Sequence, residues 1–158
     1  MTNNSRQTDG CHSTVFLIKI VLHNKHIEIS VMKTISLKKS VIHLRKDGIL
    51  NIHIKERADM QLNDAIQVVE AMGKIGNGKK FPVLIDAGDY TNIDKEVRIF
   101  SASEEGNIYT LADAVAYKSF AQKLIADFYV RHNKPCVPTK IFSDTSKAVD
   151  WLKTFLKK

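Results

Sequence analysis

Two short apolar runs constrain the fold of this chain more than any other feature of its sequence. They are "PVLID" at residues 82–86, which ends at the polar residue Asp86, and "DAVAY" at residues 113–117. A continuous apolar run of this length predicts a strand that is buried on both faces. Since such strands need a helical layer on each side, the two runs predict a largely parallel sheet covered by helices.

Amphipathic helices are predicted around these strands. An apolar stripe with helical spacing precedes the first strand and ends at "GNG", residues 76–78, which is a strong helix stop. A short helix near Lys95 is expected to turn Val97 and Phe100 inward. The stripe of the first helix comprises Leu62, Ala65, Ile66, Val69, Met72 and Ile75.

The third helix is marked at both ends. Ser119 and Gln122 have the spacing of a capping box, and Asn133 is a candidate for the left-handed cap at the other end. Its apolar residues form two adjacent ridges. A last strand, "TKIF", leads to a terminal helix capped by Asp144 or a neighbouring hydroxyl. The ridges comprise Phe120, Leu124 and Phe128, and Ala121, Ile125 and Tyr129.

A β-hairpin is predicted before the first helix. In "VIHLRKDGILNIHIKE" two strand-like runs flank Asp47-Gly48, a dipeptide that is typical of tight turns. The resulting order is a hairpin followed by α, β, α, β, α, β and α. We therefore predict an α/β fold with a mostly parallel sheet, an N-terminal hairpin and covering helices.

The N-terminal segment differs from the rest of the chain. Residues 1–31 begin with a polar, unpatterned stretch, so we divide the chain into an extra N-terminal segment, 1–31, and a domain at 32–158. Met32 is a candidate for the natural start. The apolar run "VFLIKIVL" is too short to span a membrane and lacks a signal-peptide cleavage site.

Charge and composition favour a non-enzymatic protein without metal or cofactor. Residues 118–158 carry nine Lys or Arg against three Asp or Glu, but no nucleic-acid signature accompanies them, so a solvated surface is favoured. The sequence contains no phosphate-binding loop or nucleophile motif. Possible zinc ligands at Cys11, His12, His23 and His26 lie in its least patterned region, so a metal site is not expected. Two cysteines cannot form a disulfide framework, which suggests the cytoplasm.

A family resemblance rests on two segments. "VLIDAGDYTNIDKEV" resembles the strand-to-helix segment of STAS domains, the fold of sulfate transporters and anti-sigma-factor antagonists. "AVAYKSFAQKLIADFYVRHNKPCVPTKIFSDTSKAVDWL" is similar to the small bacterial SpoIIAA-like proteins of the STAS/SEC14 type, whose function is uncharacterised. Together the matches span roughly residues 40–158. The resemblance implies a single STAS-like domain.

One departure from the antagonist pattern affects the expected function. Where those proteins carry a phosphoacceptor hydroxyl after an Asp, this chain has Lys95 and Glu96, and Val97 replaces a glycine. A phosphorylation switch is therefore not expected here. Glu96 could imitate a phosphate, but a glutamate in the first helical turn also simply favours the helix dipole, and we prefer that second interpretation.

The resemblance and the missing catalytic motifs predict a regulatory or interaction module that binds a protein partner or a small ligand. Ligands of open α/β sheets favour the carboxyl ends of the strands, so the predicted partner surface is Asp94, Lys95, Glu96 and Arg98. A homodimer is a candidate assembly. The alternatives are a carrier of a lipid or small apolar molecule, with a cavity beneath the helix of residues 120–129, and nucleic-acid binding by the C-terminal basic face.

Overall fold

The computed structural model of the chain describes residues 33–156. The predicted extra segment, 1–31, lies outside these residues. The strands are β1 (Thr34–Ser36), β2 (Ser40–Leu44), β3 (Leu50–Ile54), β4 (Asp59–Met60), β5 (Phe81–Ala87), β6 (Asn92–Ile93), β7 (Thr110–Ala116) and β8 (Thr139–Phe142). The helices are α1 (Leu62–Gly76), α2 (Lys95–Ala102), α3 (Phe120–Phe128) and α4 (Thr145–Lys153), and a π-helical turn, Tyr129–Asn133, extends α3.

The main sheet has six strands in the order β1-β2-β3-β5-β7-β8. The pairs β3-β5, β5-β7 and β7-β8 are parallel, and β1 and β2 add an antiparallel edge. The predicted α/β fold with an N-terminal hairpin is therefore confirmed. A separate parallel pair, β4-β6, was not predicted, since two-residue strands leave no periodicity in the sequence.

The hairpin turns where the sequence predicted it. Gly48 has φ +81°, a left-handed conformation that glycine adopts without steric cost, and it follows Asp47 in the loop between β2 and β3. Arg45 donates hydrogen bonds to the Asp47 carboxylate, at 2.8 Å from its Nη2. This ion pair lowers the pKa of Asp47 and fixes the loop.

Helices cover both faces of the central strands, as continuous apolar strands require. On one face α1 packs on β2, β3 and β5, where Ile42, Leu50 and Val83 are buried. On the other face α4 packs on β5 and β7, where Leu84 and Leu152 are buried. Asp144 caps α4 as predicted, because its carboxylate accepts a hydrogen bond from the backbone of Ser146 at 2.8 Å.

The helices begin and end close to the predicted residues, but the buried face of α1 differs from the predicted stripe, and the sequence left open which ridge of α3 faces the sheet. In α1, Leu62 and Ile66 are exposed, and Val68 and Ala71 are buried instead. The α3 ridge of Phe120, Leu124 and Phe128 points to solvent, and Phe120 is 74% exposed. Local periodicity finds an apolar stripe but does not say which side of it meets the sheet.

The end of α3 also differs from the prediction. The left-handed residue is Lys134, with φ 50°, and not Asn133. A π-helical turn inserts an additional residue into the last turn, which moves the cap one position along the chain. Among residues 33–156, no helix combines the length and apolar character that crossing a membrane requires.

The exposure of the α3 ridge predicts a difference between two large-to-small substitutions. Phe120→Ala should change the free energy of unfolding by less than about 0.5 kcal/mol, because the ring is already in water. Leu152→Ala should cost about 2–5 kcal/mol, because Leu152 is 0% exposed and its removal leaves a void. Urea unfolding of both variants measures the difference. A cost above 2 kcal/mol for Phe120→Ala would show that this ring is buried.

Candidate ligand cavity

A mostly apolar cavity of about 200 Å³ lies between the sheet and the helices α1, α2 and α3. Its floor is formed by three adjacent parallel strands and extends to their carboxyl ends, the usual place for ligands in open α/β sheets. The floor residues are Ile52 and Ile54 of β3, Val83 and Ile85 of β5, and Asp113 and Val115 of β7. The walls include Ala65, Val68, Val69 and Met72 of α1, Val97, Arg98, Phe100 and Ser101 of α2, and Gln122, Ile125, Ala126 and Tyr129 of α3 and its π-helical turn.

The inner side of α3 explains why space remains over the sheet. Gln122, Ala126 and Tyr129 follow one another at helical spacing and line the cavity. Ala126 is 6% exposed, and its methyl group is small for a central packing position. Phe120, Leu124 and Phe128 of α3 point outward, and Ile125 lies at the edge of the cavity with 41% of its surface exposed, so none of them fills the space beneath the helix.

Polar side chains hold α3 over the cavity. The Gln122 amide donates to the carbonyl oxygens of Ala87 and Gly88, at 3.3 and 3.2 Å. The Ser119 hydroxyl accepts a hydrogen bond from the Gln122 backbone at 3.2 Å, which confirms the predicted cap. Gln122 therefore ties the start of α3 to the end of β5.

The other end of α3 is tied to α2. The Tyr129 hydroxyl donates to the Ser101 carbonyl oxygen at 2.9 Å, and the Asn107 amide donates to the same oxygen at 2.7 Å. Burial raises the pKa of Tyr129, and the nearby Asp113 and Cys136 raise it further. The phenol is therefore neutral and acts as a hydrogen-bond donor. With both ends of α3 anchored, the cavity has a fixed roof.

Asp113 is the distinctive polar group of the cavity. It lies in the middle of β7, between Val83 of β5 and Thr139 of β8, and is 4% exposed. Burial raises the pKa of its carboxyl to about 7, and no charged or hydrogen-bonding partner among residues 33–156 opposes that shift. A carboxyl in apolar surroundings is costly unless it is protonated or paired.

Of the four residues predicted as a partner surface, Arg98 alone lines the cavity. Its guanidinium donates to the Ile93 carbonyl oxygen and lies over the Phe128 ring, 5.6 Å from the ring centre. The buried Arg98 Nε has no hydrogen-bond partner among the described residues. Arg98 therefore belongs to the cavity wall, whereas Asp94, Lys95 and Glu96 do not.

The other three residues of that surface lie at the start of α2, outside the cavity. Asp94 is the N-terminal capping residue, and its carboxylate accepts a hydrogen bond from Asn92 at 3.2 Å. Lys95 and Glu96 are exposed in the first turn. Nothing in this arrangement tests the predicted partner surface, which stays a prediction.

A second polar cluster lies at the end of β5. The Asp86 carboxylate accepts a hydrogen bond from the Asn51 amide at 3.2 Å and is hydrogen-bonded to Nδ1 of His53. These side chains come from neighbouring parallel strands, since His53 is the direct partner of Asp86 across β3 and β5. Asp86 is thus already paired. Between Lys33 and Leu156, no three His, Cys, Asp or Glu side chains converge in a way that could hold a metal ion.

Residues 42–156 match the family described as Domain of unknown function (DUF7793). The chain belongs to this family. None of the curated proteins matches this DUF7793 chain. Among solved structures, it is similar to an uncharacterised protein of the DUF3478 family from Shewanella loihica PV-4, described as having a SpoIIAA-like fold.

That solved structure shares 15% sequence identity with the DUF7793 chain. The alignment covers 77% of this chain and 91% of the Shewanella chain, with a TM-score of 0.48. At this identity and TM-score, no property of the Shewanella protein is transferred to the DUF7793 chain.

The unpaired Asp113 carboxyl predicts a pH dependence of stability. The pKa of this carboxyl is raised from 3.8 to about 7 by folding, so the native chain binds a proton that the unfolded chain has lost. Stability from this group is therefore fully present below about pH 4 and is lost as the pH rises to about 7. The free energy of unfolding of Asp113→Asn minus that of wild type should therefore be larger at pH 8 than at pH 4, by a few kcal/mol.

Urea unfolding of wild type and Asp113→Asn at pH 4, 6 and 8 measures this difference. Asp127→Asn is the control, because its carboxylate is paired on the surface with Lys123 at 2.6 Å. A stability difference between wild type and Asp113→Asn that does not change with pH would contradict the assignment of a raised pKa to Asp113.

Proposed function

We propose that the DUF7793 domain is a non-enzymatic binding module that takes one small, mostly apolar molecule in the cavity under α3. The observation that supports this proposal is the cavity itself, which is lined by aliphatic side chains from three strands and three helices. This is the alternative that the sequence analysis gave as a carrier of a small apolar molecule. A regulatory role would follow if binding changes the surface of α2 or α3.

The size and lining of the cavity support a small ligand. Its volume is about 200 Å³. An apolar cavity of about 150 Å³ in another protein stays dry and binds benzene. A molecule with one or two rings, or a short branched chain, therefore fits, whereas a long lipid chain needs more space. Desolvation of apolar surface provides the binding free energy, at roughly 25 cal/mol per Å².

The position of the cavity also supports access for a ligand. Ile125 lines the cavity and is 41% exposed, so this part of the wall lies at the protein surface. Beside it is the exposed apolar ridge of Phe120, Leu124 and Phe128 on the same helix. A ligand in the cavity would contact α3 directly and would change its packing on the sheet. This gives a route by which a bound molecule could influence a partner.

Toluene is a suitable probe for this function. Titration of the ¹⁵N-labelled protein with toluene should shift amide signals of cavity residues such as Val115 and Ala126. Signals of Leu152 on α4 should stay unchanged, because α4 covers the opposite face of the sheet. At a toluene concentration of 100 times Kd, binding should stabilise the fold by about 2.7 kcal/mol.

A matched pair of variants on α3 tests the location. Ala126→Leu should lower toluene affinity at least about tenfold, because the added methyl groups occupy the cavity. Ala121→Leu is the control, since Ala121 is exposed on the same helix. Ala65→Leu on α1 tests the opposite wall if Ala126→Leu unfolds. Unaltered toluene binding in both cavity variants, or no binding by wild type, would refute the proposal.

The predicted partner surface at Asp94, Lys95 and Glu96 belongs to a second, compatible proposal, in which a cytoplasmic protein partner docks at the start of α2. The exposure of Lys95 and Glu96 favours it, because charged side chains there are free to contact another protein. Arg98 would link that surface to the cavity, since it lies on α2 and lines the cavity wall.

A further inference from the structure

The Asp113 carboxyl distinguishes this cavity from a simple apolar void. Its neighbours across the sheet are Val83 and Thr139, and the Thr139 hydroxyl donates to the Val137 carbonyl oxygen at 3.0 Å. The nearby Tyr129 hydroxyl is also occupied, because it donates to Ser101. Asp113 is therefore a buried acceptor in the cavity wall whose hydrogen bonds remain to be made. A ligand that enters the cavity can supply them.

We propose that the ligand carries a basic amine on its apolar body, and that its ammonium group pairs with the Asp113 carboxylate inside the cavity. This inference rests on the proposed function and names the class of molecule bound. An ammonium both donates hydrogen bonds and neutralises the carboxylate, whereas a hydroxyl only donates. In apolar surroundings the neutralised pair is favoured over an isolated charge, because a lone buried charge is costly.

The other charged groups around the cavity are compatible with an ammonium at Asp113. Asp86 of β5 is hydrogen-bonded to His53. Arg98 of α2 donates from Nη1 to the Ile93 carbonyl oxygen and lies over the Phe128 ring, whereas its buried Nε has no partner among residues 33–156. The cavity side chains of α1 carry no charge, and Tyr129 is a neutral phenol. Asp113 is therefore the one cavity carboxyl within residues 33–156 that lacks a partner.

Three probes of the same size separate the amine from the apolar body. Toluene, benzyl alcohol and benzylamine share one ring and differ in the attached group. At pH 8 wild type should bind benzylamine at least about tenfold more tightly than toluene or benzyl alcohol. Asp113→Asn should abolish this preference and leave toluene affinity within about twofold of wild type. Asp127→Asn, a surface carboxylate on α3, should keep the preference.

The pH dependence gives a second readout. Benzylamine stays protonated between pH 6 and pH 8, whereas the carboxyl of the free protein ionises near pH 7. The affinity of benzylamine for wild type should therefore rise about tenfold from pH 6 to pH 8, and the affinity of benzylamine for Asp113→Asn should not change with pH. Amide shifts in ¹⁵N-labelled protein report all these affinities.

The outcomes separate the two proposals. If toluene binds but benzylamine is not preferred, or if Asp113→Asn keeps the preference, the amine inference is overturned and the apolar cavity function stands. If no probe binds wild type, the cavity function fails, and the amine inference fails with it. Preference for benzylamine that depends on both Asp113 and pH supports both.

Discussion

The parallel pairing of β5 between β3 and β7 is the constraint on which the rest of the structure depends. Val83 and Leu84 point to opposite faces of β5, and each is 1% exposed. A strand with apolar side chains on both faces must be covered twice, and α1 and α4 supply the two covers. The parallel pairing also brings the carboxyl ends of β3, β5 and β7 to one edge of the sheet. The cavity lies near this edge because the covering helices meet there.

The cavity follows from how α3 packs. A helix with small or polar side chains on its inner side cannot fill the space above a sheet as a helix with leucines would. In α3 the centre of the inner side is formed by Gln122, Ala126 and Tyr129, with Ile125 at its edge, and hydrogen bonds to β5 and α2 fix the distance of the helix from the sheet. The structure thus keeps an apolar space that collapse of the core would otherwise remove. Such a space costs stability, which supports a role for it in binding.

Sequence reasoning found most of the architecture because the signals are local. The Asp47-Gly48 turn, the stop at Asn77, and the caps at Ser119 and Asp144 each depend on a few neighbouring residues. Sequence reasoning was less successful with the direction of helix faces. The predicted stripe of α1 includes Leu62 and Ile66, which are exposed. The sequence did not choose between the two ridges of α3, and the ridge that begins at Phe120 points to solvent. Direction depends on which other elements are present to cover a face, and this information is not local.

The candidate site was harder to predict for the same reason. Several charged residues lie close together around Asp94, and they predicted a partner surface there. Of that surface, Arg98 alone lines the cavity. Asp113 gave a weaker signal. Asp113 is the first residue of the run "DAVAY", which suggests a polar residue at the exposed start of a strand. In the structure β7 begins three residues earlier, at Thr110, so Asp113 lies in the middle of the strand.

The sequence by itself determined the alternation of strands and helices, the hairpin and the helix ends, because periodicity and turn chemistry act over a few residues. Only the tertiary structure decided that α3 places Ala126 inward and Phe120 outward, and that Asp113 is enclosed between two neighbouring strands. Burial is the sum of contacts from segments far apart in the chain. The ionisation of Asp113 and the space beside it therefore exist only once those segments have packed together.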